Sequence, residues 1–550
     1  MKPLPIGRDD LKDIIEEGCY YVDKTKIIEE LLDSKTYVTL FPRPRRFGKS
    51  LMLSTLDQFF NIEQKQANKD LFKGLYIEKS KYKKEQGKYP IIKLNLKSVE
   101  ADNWEEMYGG IREIIRQLFE SKRYVLEILN DDEKALYGKF LSREADLPDY
   151  KLSLKILSEY LYRYYNEKVI ILIDEYDVPI QKGYTKGFYD EIVNFIKGLF
   201  NNALKTNNSI KFAIMTGVLR VSKESIFSDL NNVDVYSVID SEFSQYFGFT
   251  EQETEQILKQ SNLELTSEVK KMYDGYVFGD TEIYNPWSVI KYASRKRLYP
   301  YWINTSSDEL LKDIFNQTRK QTEQMLEDLI LGKSVTCKYN DKVTFLDLRK
   351  IAKSDAKDTV LNFLLTSGYL TKEKGSELTS SGNIQLKIPN SEVQTIYVEI
   401  LSKWTRDATD IDNQKLQELQ KVLLANEPEK LEEMLNEILN HMSYTEGQEQ
   451  FYHGYMLGLL VEFLNIDYIV KSNREAGKGR FDIMIESADR KNGIILEFKV
   501  AKEDESLEEK AKIGREQILE KEYYKELELD RVENIITYGI AFKGKECKVE

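Results

Sequence analysis

The sequence predicts a multidomain α/β protein, on three observations. At 550 residues the chain exceeds what one hydrophobic core organises, and roughly 150 residues per unit gives about three or four units. Hydrophobic residues at 41%, aromatics at 11% and charged residues at 31% supply folded cores and exclude a largely disordered polymer. Short apolar runs alternate with amphipathic stretches in the first part, and this pattern changes further along the chain.

From residue 1 to about 240, the apolar runs are Tyr37 to Phe41, Ile91 to Leu96, Val169 to Ile173 and Ile210 to Thr216. Runs of this length between helical segments read as strands of a parallel sheet covered on both faces. Residues 241–404 are mostly helical, with strand-like pieces at Tyr369 to Lys372 and Ile384 to Ile388, and predict a lid with a winged-helix-like unit. Residues 405–448 carry Leu, Glu, Lys and Asn at helical spacing and predict a helical connector. Residues 449–550 predict a second α/β domain. Its expected order is a helix (Phe451 to Leu464), a strand (Tyr468 to Ser472), two further strands, a helix (Leu507 to Tyr523) and a strand (Asn534 to Phe542).

The net charge of −13, from 80 basic and 93 acidic residues, excludes a protein that coats nucleic acid with a basic surface; any such contact must be local. Cys19, Cys337 and Cys547 lie far apart, without the spacing of a zinc site or disulfide framework, which fits a reducing cytoplasm. The first residues lack a basic-then-apolar signal pattern, and no run approaches the ~18 apolar residues of a membrane helix, so no membrane partner is expected.

Tyr37-Val-Thr-Leu-Phe41 is followed by Pro42-Arg-Pro-Arg-Arg-Phe-Gly-Lys-Ser50 and then a helix carrying Met52, Leu56 and Phe59. Strand, loop, Gly48-Lys49-Ser50 and helix is the context of a P-loop. Free N–H groups and the dipole at a helix start favour a phosphate, Lys49 adds a point charge, and Ser50 can ligate Mg²⁺. The pattern departs at its first glycine, where Arg43 stands between two prolines. The alternative reading is a helix start beside a solvated basic cluster. Val169-Ile-Ile-Leu-Ile173 ends in Asp174-Glu175-Tyr176-Asp177, which puts acids at the carboxyl end of a buried strand, where open α/β sheets place ligands. Asp174 is expected to hold hydrated Mg²⁺, and Glu175 to orient and polarise the attacking water. Thr216, ending the next strand, and Arg220 shortly after it are candidates for the nucleotide site; a plain strand-end hydroxyl is the alternative for Thr216.

Tyr21-Val-Asp-Lys-Thr25, Arg43-Pro-Arg-Arg-Phe-Gly-Lys-Ser50, Ile173-Asp-Glu-Tyr-Asp177, Thr216-Gly-Val-Leu-Arg220, Ser225-Ile-Phe-Ser228, Tyr273-Asp-Gly-Tyr276 and Tyr284-Asn-Pro-Trp-Ser288 stand in this order. In this set the chain resembles the AAA-ATPase-like family found at the front of many bacterial nuclease fusions. The resemblance spans roughly the first 300 residues and implies a P-loop NTPase fold, a helical lid and ATP as ligand. Tyr273 to Ser288 are read as packing and turn residues in preference to nucleotide contact.

Near the C-terminus, Gly479-Arg-Phe-Asp482 opens Ile483-Met-Ile485, and Ile494-Ile-Leu-Glu-Phe-Lys499 follows a polar turn. A hairpin centred between Asp489 and Arg490 sets Asp482 opposite Glu497. Facing carboxylates repel, so they need a cation or a proton. Alternation puts Glu497 and Lys499 on one face, with Leu496 and Phe498 on the core side. Asp482 and Glu497 are thus candidate Mg²⁺ ligands and Lys499 a candidate for stabilising charge in phosphodiester hydrolysis. The alternative is a surface hairpin with a charged outer face.

The element order, with Ser472-Asn-Arg-Glu-Ala-Gly-Lys-Gly-Arg-Phe-Asp482, Gln517-Ile518 and Tyr523-Tyr524, resembles the restriction-endonuclease-like PD-(D/E)XK nuclease core commonly fused to that ATPase-like family. The resemblance implies that Gln517 sits near the active site and raises Glu462 as a further ligand; His453 is read as a packing or capping residue. Residues 451–550 hold 17 Lys/Arg against 21 Asp/Glu, so this module alone should grip DNA weakly. Arg474, Lys478 and Arg480 are the local basic cluster for phosphate contact, and a protein partner, a second copy or the ATPase part is expected to deliver substrate. The expectation is an ATP-regulated, Mg²⁺-dependent nuclease acting on DNA ahead of RNA. A nucleotide-dependent switch or scaffold with an inert nuclease fold is the alternative.

Overall fold

The computed structural model describes residues 2–550 except 98, 100, 206, 220–231, 304–308, 331, 341, 342, 344–346, 349–356, 410–412, 442–451, 453–455, 457, 458, 461–467, 477, 478 and 503. The chain divides into two compact units, Met1–Thr318 with Ser334–Val393, and Arg319–Lys333 with Gln394–Glu550. Among the described residues no helix is long and apolar enough to cross a membrane.

The first unit is built on a five-stranded parallel sheet of P-loop type. Its strands are β1 (Val38–Pro42), β2 (Ile91–Asn95), β3 (Val169–Asp174), β4 (Ile210–Gly217) and β5 (Val233–Val235), in the order β2-β3-β4-β1-β5. Every residue of β1 and β3 is buried, and both are apolar apart from Thr39 and the terminal Asp174. Helix α1 (Lys49–Phe60) leaves β1 and buries Met52, Leu56 and Phe59, and α2 (Trp104–Ser121) buries Met107, Ile111 and Ile115 at helical spacing. The register Phe41↔Thr216 and Pro42↔Gly217 aligns the carboxyl ends of β1 and β4, and Asn95↔Asp174 aligns those of β2 and β3. The strand β5 is too short and too exposed for its apolar pattern to announce it.

Further along this unit, α3 (Glu251–Gln260) and α4 (Pro286–Arg295) pack around a core of Ile257, Leu258, Tyr273, Tyr284, Val289 and Tyr292. The short hairpin β6 (Tyr276–Phe278) and β7 (Thr281–Ile283) lies between these helices in sequence. A separate antiparallel sheet has the order β8-β10-β9, from β8 (Val335–Lys338), β9 (Thr371–Lys372) and β10 (Asn383–Lys387).

The second unit holds a mixed five-stranded sheet in sequential order: β11 (Tyr468–Ala476), β12 (Gly479–Ser487), β13 (Asn492–Val500), β14 (Asn534–Lys543) and β15 (Glu546–Val549). Only β13 and β14 pair in parallel; the crossover between them is α5 (Leu507–Glu520), capped by Ser506, followed by a short helical turn. The α5-covered face holds Met484, Ile495, Ile518, Tyr523 and Leu527. The other face holds Phe498 against Phe542, on which the Tyr452 ring stacks at 4.4 Å between centroids. Both faces of the sheet are therefore covered. The expected helix from Phe451 to Leu464 falls largely outside the described residues.

Candidate functional site

The loop between β1 and α1 turns through two left-handed residues, Arg46 (φ 68°) and Gly48 (φ 86°), with Phe47 between them outside that region. Such alternation turns successive N–H groups into one concavity suited to an anion. Gly48 is the N-cap of α1 and no side chain caps this helix, so its first N–H groups are left for a ligand. Lys49 is buried and donates to the carbonyls of Arg43 and Pro44, both at 3.0 Å. Burial pulls its ammonium below the ordinary lysine range, opposed by Glu175, Asp177 and Asp174 nearby.

Arg43, which replaces the glycine of the usual pattern, is not in the left-handed region, so the loop needs no glycine there. Its side chain is fully buried behind the loop, donates to the Tyr236 carbonyl at 2.6 Å, and lies over the rings of Phe247 and Phe278 at 4.9 and 5.4 Å. Burial lowers this guanidinium to about 9. Its Nε and one terminal nitrogen have no hydrogen-bond partner; the ring faces are their neighbours.

At the end of β3, Asp174 is buried and accepts the Thr216 hydroxyl at 2.5 Å, so these two expected site residues meet each other across β3 and β4. Glu175 follows in the left-handed region at φ 51°, a strained conformation for a side-chain-bearing residue. Burial raises its carboxyl above the ordinary value, with Lys49 opposing. Asp177 accepts from the amides of Val218 and Leu219, both at 2.9 Å, and Tyr176 donates to the Leu219 carbonyl at 2.6 Å. The turn after β3 thereby holds the backbone that leaves β4. Arg220 lies outside the described residues.

Gly48, Lys49, Ser50, Glu175 and Asp177 line a cavity of about 390 Å³; Asp174 and Thr216 are not in its wall. The same cavity is also lined by apolar and aromatic side chains, among them Leu4, Ile6, Tyr20, Val22, Phe249 and Trp287. Polar and charged groups and aromatic rings thus line one space. The segment Tyr273 to Ser288 divides accordingly. Tyr273 and Tyr284 are core, while Trp287 walls the cavity, with the Arg46 guanidinium at 4.4 Å and the Lys291 ammonium at 4.6 Å from its ring. Sequence reasoning missed Trp287, Lys291 and the first residues of the chain as cavity wall. Pro286 at a helix start after the N-cap Asn285 was the legible signal for a fixed Trp287.

In the second unit, the turn between β12 and β13 has Arg490 in the left-handed region, with the Asp489 carboxylate accepting from the Ser487 hydroxyl and the Lys491 amide at 2.8 and 3.1 Å. The register Ile483↔Leu496, continued by one residue, sets Asp482 opposite Glu497. Asp482 accepts the Phe498 amide at 2.6 Å. Glu497 Oε1 accepts from Lys499 Nζ at 2.9 Å and from the Gln517 amide on α5, and Gln517 Nε2 also lies 3.2 Å from the Tyr523 hydroxyl. All four expected residues, Asp482, Glu497, Lys499 and Gln517, are thus gathered in one place.

Glu497 is only 2% exposed, and its Oε2 has no hydrogen-bond partner. Burial raises both carboxyls well above the ordinary range, and Asp482 raises Glu497 further, while Lys499 opposes both shifts. Two facing carboxylates, Asp482 half-buried and Glu497 buried with one unused oxygen, fit a hard divalent cation such as Mg²⁺. Among the described residues no cluster of three or more His, Cys, Asp or Glu forms a fuller ligand set. Glu462, His453 and Lys478 lie outside the described residues; Arg474 and Arg480 stand in β11 and β12.

The helix that brings Gln517 over Glu497 approaches the sheet through two glycines. A Cβ on Gly539 would meet the Ala511 carbonyl oxygen at 2.0 Å and the Arg515 nitrogen at 2.4 Å, and one on Gly514 would lie 3.4 Å from the Gly539 Cα. Gly539 pairs with Glu497 in the β13–β14 register, so the closest approach of α5 is beside the acid pair.

A parallel sheet with acids and a loop-to-helix turn at its carboxyl edge fits the P-loop class, and a hairpin carboxylate pair beside a lysine fits the PD-(D/E)XK class. Comparison with known proteins agrees with both. Residues 5–227 match the family model described as Predicted AAA-ATPase, and residues 447–550 match that of the PD-(D/E)XK nuclease superfamily. The chain therefore carries an AAA-ATPase-like domain followed by a PD-(D/E)XK nuclease superfamily domain. It is also similar to an uncharacterized protein from the vnfD 5′ region of Azotobacter chroococcum mcd 1, 27% identical over 493 residues that cover 88% of this chain and 87% of the relative.

Proposed function

We propose that the chain is an ATP-regulated nuclease: it binds and hydrolyses ATP with Mg²⁺ at the phosphate loop, and its C-terminal domain cleaves phosphodiester bonds, in DNA ahead of RNA. The observation that carries the nuclease reading is the facing pair of half-buried Asp482 and buried Glu497, with Glu497 Oε2 unpartnered and Lys499 beside it. Asp482 and Glu497 would hold the cation, which when bound supplies Lewis acidity at the scissile phosphate and eases deprotonation of water. Lys499 offsets the charge that develops on the phosphate. Gln517 orients Glu497 by occupying one of its oxygens, leaving Oε2 as the one that would take the cation.

On the ATPase side, Gly48 and the following helix start would receive the phosphates, Lys49 would leave its loop carbonyls to meet them, and Ser50 with Asp174 would hold Mg²⁺. Glu175 would orient the attacking water; Thr216 sets the Asp174 carboxylate, and Arg220 follows on the same segment. In this reading residues 1–240 form the nucleotide core, 241–404 a lid with a winged-helix-like part, 405–448 a connector and 449–550 the nuclease domain. A protein partner or a second copy supplies the nucleic-acid grip that an acidic module lacks.

The test is an assay of purified full chain on supercoiled DNA, linear DNA and RNA, with Mg²⁺ and with or without ATP. Cleavage should need Mg²⁺, change with ATP, and vanish in Asp482→Ala, Glu497→Ala and Lys499→Ala. Variants that match wild type on every substrate end the nuclease reading. A second reading, a nucleotide-dependent switch or scaffold with an inert nuclease fold, is favoured by the buried Arg43 in place of a loop glycine. ATP binding without turnover, and no Mg²⁺ binding by calorimetry, would select it.

A further inference from the structure

The phosphate loop is held from outside by residues more than two hundred positions away. The indole N–H of Trp302 donates to the Arg45 carbonyl at 3.0 Å. The backbone N–H of Trp302 donates to Glu392 Oε1 at 2.7 Å, and the same carboxylate accepts the Ser288 hydroxyl at 2.8 Å through Oε2. Beside this tether, Gly368 packs so closely on Pro44 that a Cβ there would lie 2.6 Å from the proline Cβ, and Tyr276 donates to the Gly368 carbonyl at 3.1 Å.

A trans peptide is planar, so its C=O and N–H point in opposite directions. Tying the Arg45 carbonyl to Trp302 therefore sets the direction of the Arg46 N–H, one of the donors in the loop's concavity. Arg46 is also the non-glycine left-handed residue of that loop, a conformation that persists only where the surroundings enforce it. Glu392 is 1% exposed, and a buried carboxylate is no better for stability than a packed apolar side chain. What an apolar residue could not do is fix the directions of Trp302 and Ser288 together. Ser288 adjoins Trp287 on the aromatic wall of the cavity, so one carboxylate ties that wall to the segment that holds the loop.

We propose that Trp302 and Glu392 are positioning residues for phosphate binding, with Trp302 aiming the loop through the Arg45 carbonyl and Glu392 holding Trp302. This rests on the nucleotide-binding reading above. By linkage, phosphate that engages the loop changes the Trp302 hydrogen bond in return.

The test measures binding of Mg·ATP and of pyrophosphate to the full chain by calorimetry. Trp302→Phe keeps most of the ring bulk and removes the donor. It should weaken both probes about tenfold, in line with one lost hydrogen bond in a fixed cradle. Equal losses for both probes place the effect at the phosphate end. Glu392→Ala should behave alike, and Glu392→Gln, which keeps an acceptor for Trp302, should recover most of the affinity; a purely structural role would not separate these two. In the wild-type chain, which has four tryptophans, the indole N–H resonance absent from Trp302→Phe should shift when pyrophosphate saturates the protein. Wild-type affinity in both Trp302→Phe and Glu392→Ala, or an unmoved Trp302 resonance in a chain that binds pyrophosphate, overturns the proposal. A wild-type chain that binds neither probe instead ends the nucleotide-binding reading itself.

Discussion

Asp482, half-buried, and Glu497, buried, stand opposite each other across the β12–β13 hairpin, with Lys499 and Gln517 shared on a single Glu497 oxygen. Like charges so placed destabilise the sheet unless something neutralises one of them. Removing one charge should therefore help the fold while it harms the chemistry. Glu497→Gln should raise the melting temperature in EDTA by a few degrees, about what 1 kcal/mol gives in a domain of this size, and abolish Mg²⁺-dependent cleavage. Melting scans with and without EDTA check the first part, and a lowered melting temperature would argue against a strained acid pair.

The pH dependence follows from the same pair. Both carboxyls lie above their ordinary values in the folded chain and near about 4 in the unfolded one, so folding takes up protons between those limits. The metal-free fold keeps this contribution at low pH and loses it as pH rises through the raised values toward neutrality. Cation binding needs the deprotonated pair, so stabilisation by Mg²⁺ should grow over the same interval. Thermal shifts at pH 5 and pH 8 measure it; a Mg²⁺ effect larger at pH 5 would contradict the assignment.

A methyl group on Gly539, which pairs with Glu497, should disturb the site without touching its side-chain chemistry. Gly539→Ala would press on the backbone of α5 at Ala511 and Arg515 and lift Gln517 from Glu497. The expected loss is about 1–3 kcal/mol of stability, together with reduced cleavage. Urea unfolding followed by a nuclease assay would show it.

Glu175 couples strain to function. Glu175→Gly should relieve the left-handed backbone at φ 51° and stabilise the first unit by about 1 kcal/mol, while ATP turnover falls at least as far as in Glu175→Ala. Denaturant titration and a phosphate-release assay test the pair of effects together.

Arg43→Gly restores the glycine of the common loop pattern, yet it should weaken the protein. The change empties a fully buried site and removes the bond to the Tyr236 carbonyl, at a cost of about 2–5 kcal/mol. ATP affinity should fall with it. A tighter-binding glycine variant would show that the loop is not shaped by the buried guanidinium.

Much of this was legible in one dimension. The four longer strands of the first sheet stand where their apolar runs predict, because strands covered on both faces are mostly apolar, with the exposed Lys93, Asn95 and Lys211 as departures. The hairpin pairing of Asp482 with Glu497 was legible too, since turn position and a period of two residues determine which side chains face each other. The strands β5 and β15 were not, being short and partly exposed.

The sequence by itself determined the local chemistry: a helix start with Lys49, acids at the end of β3, and two carboxylates in register with a lysine. These depend on near neighbours or on strand periodicity. Tertiary structure alone decided what surrounds them. That Arg43 turns behind its loop, that Trp302 ties Arg45, that Trp287 walls the cavity and that α5 buries Glu497 are contacts between segments far apart in the chain. No periodicity links such positions, because their meeting is set by how the packed layers close on one another.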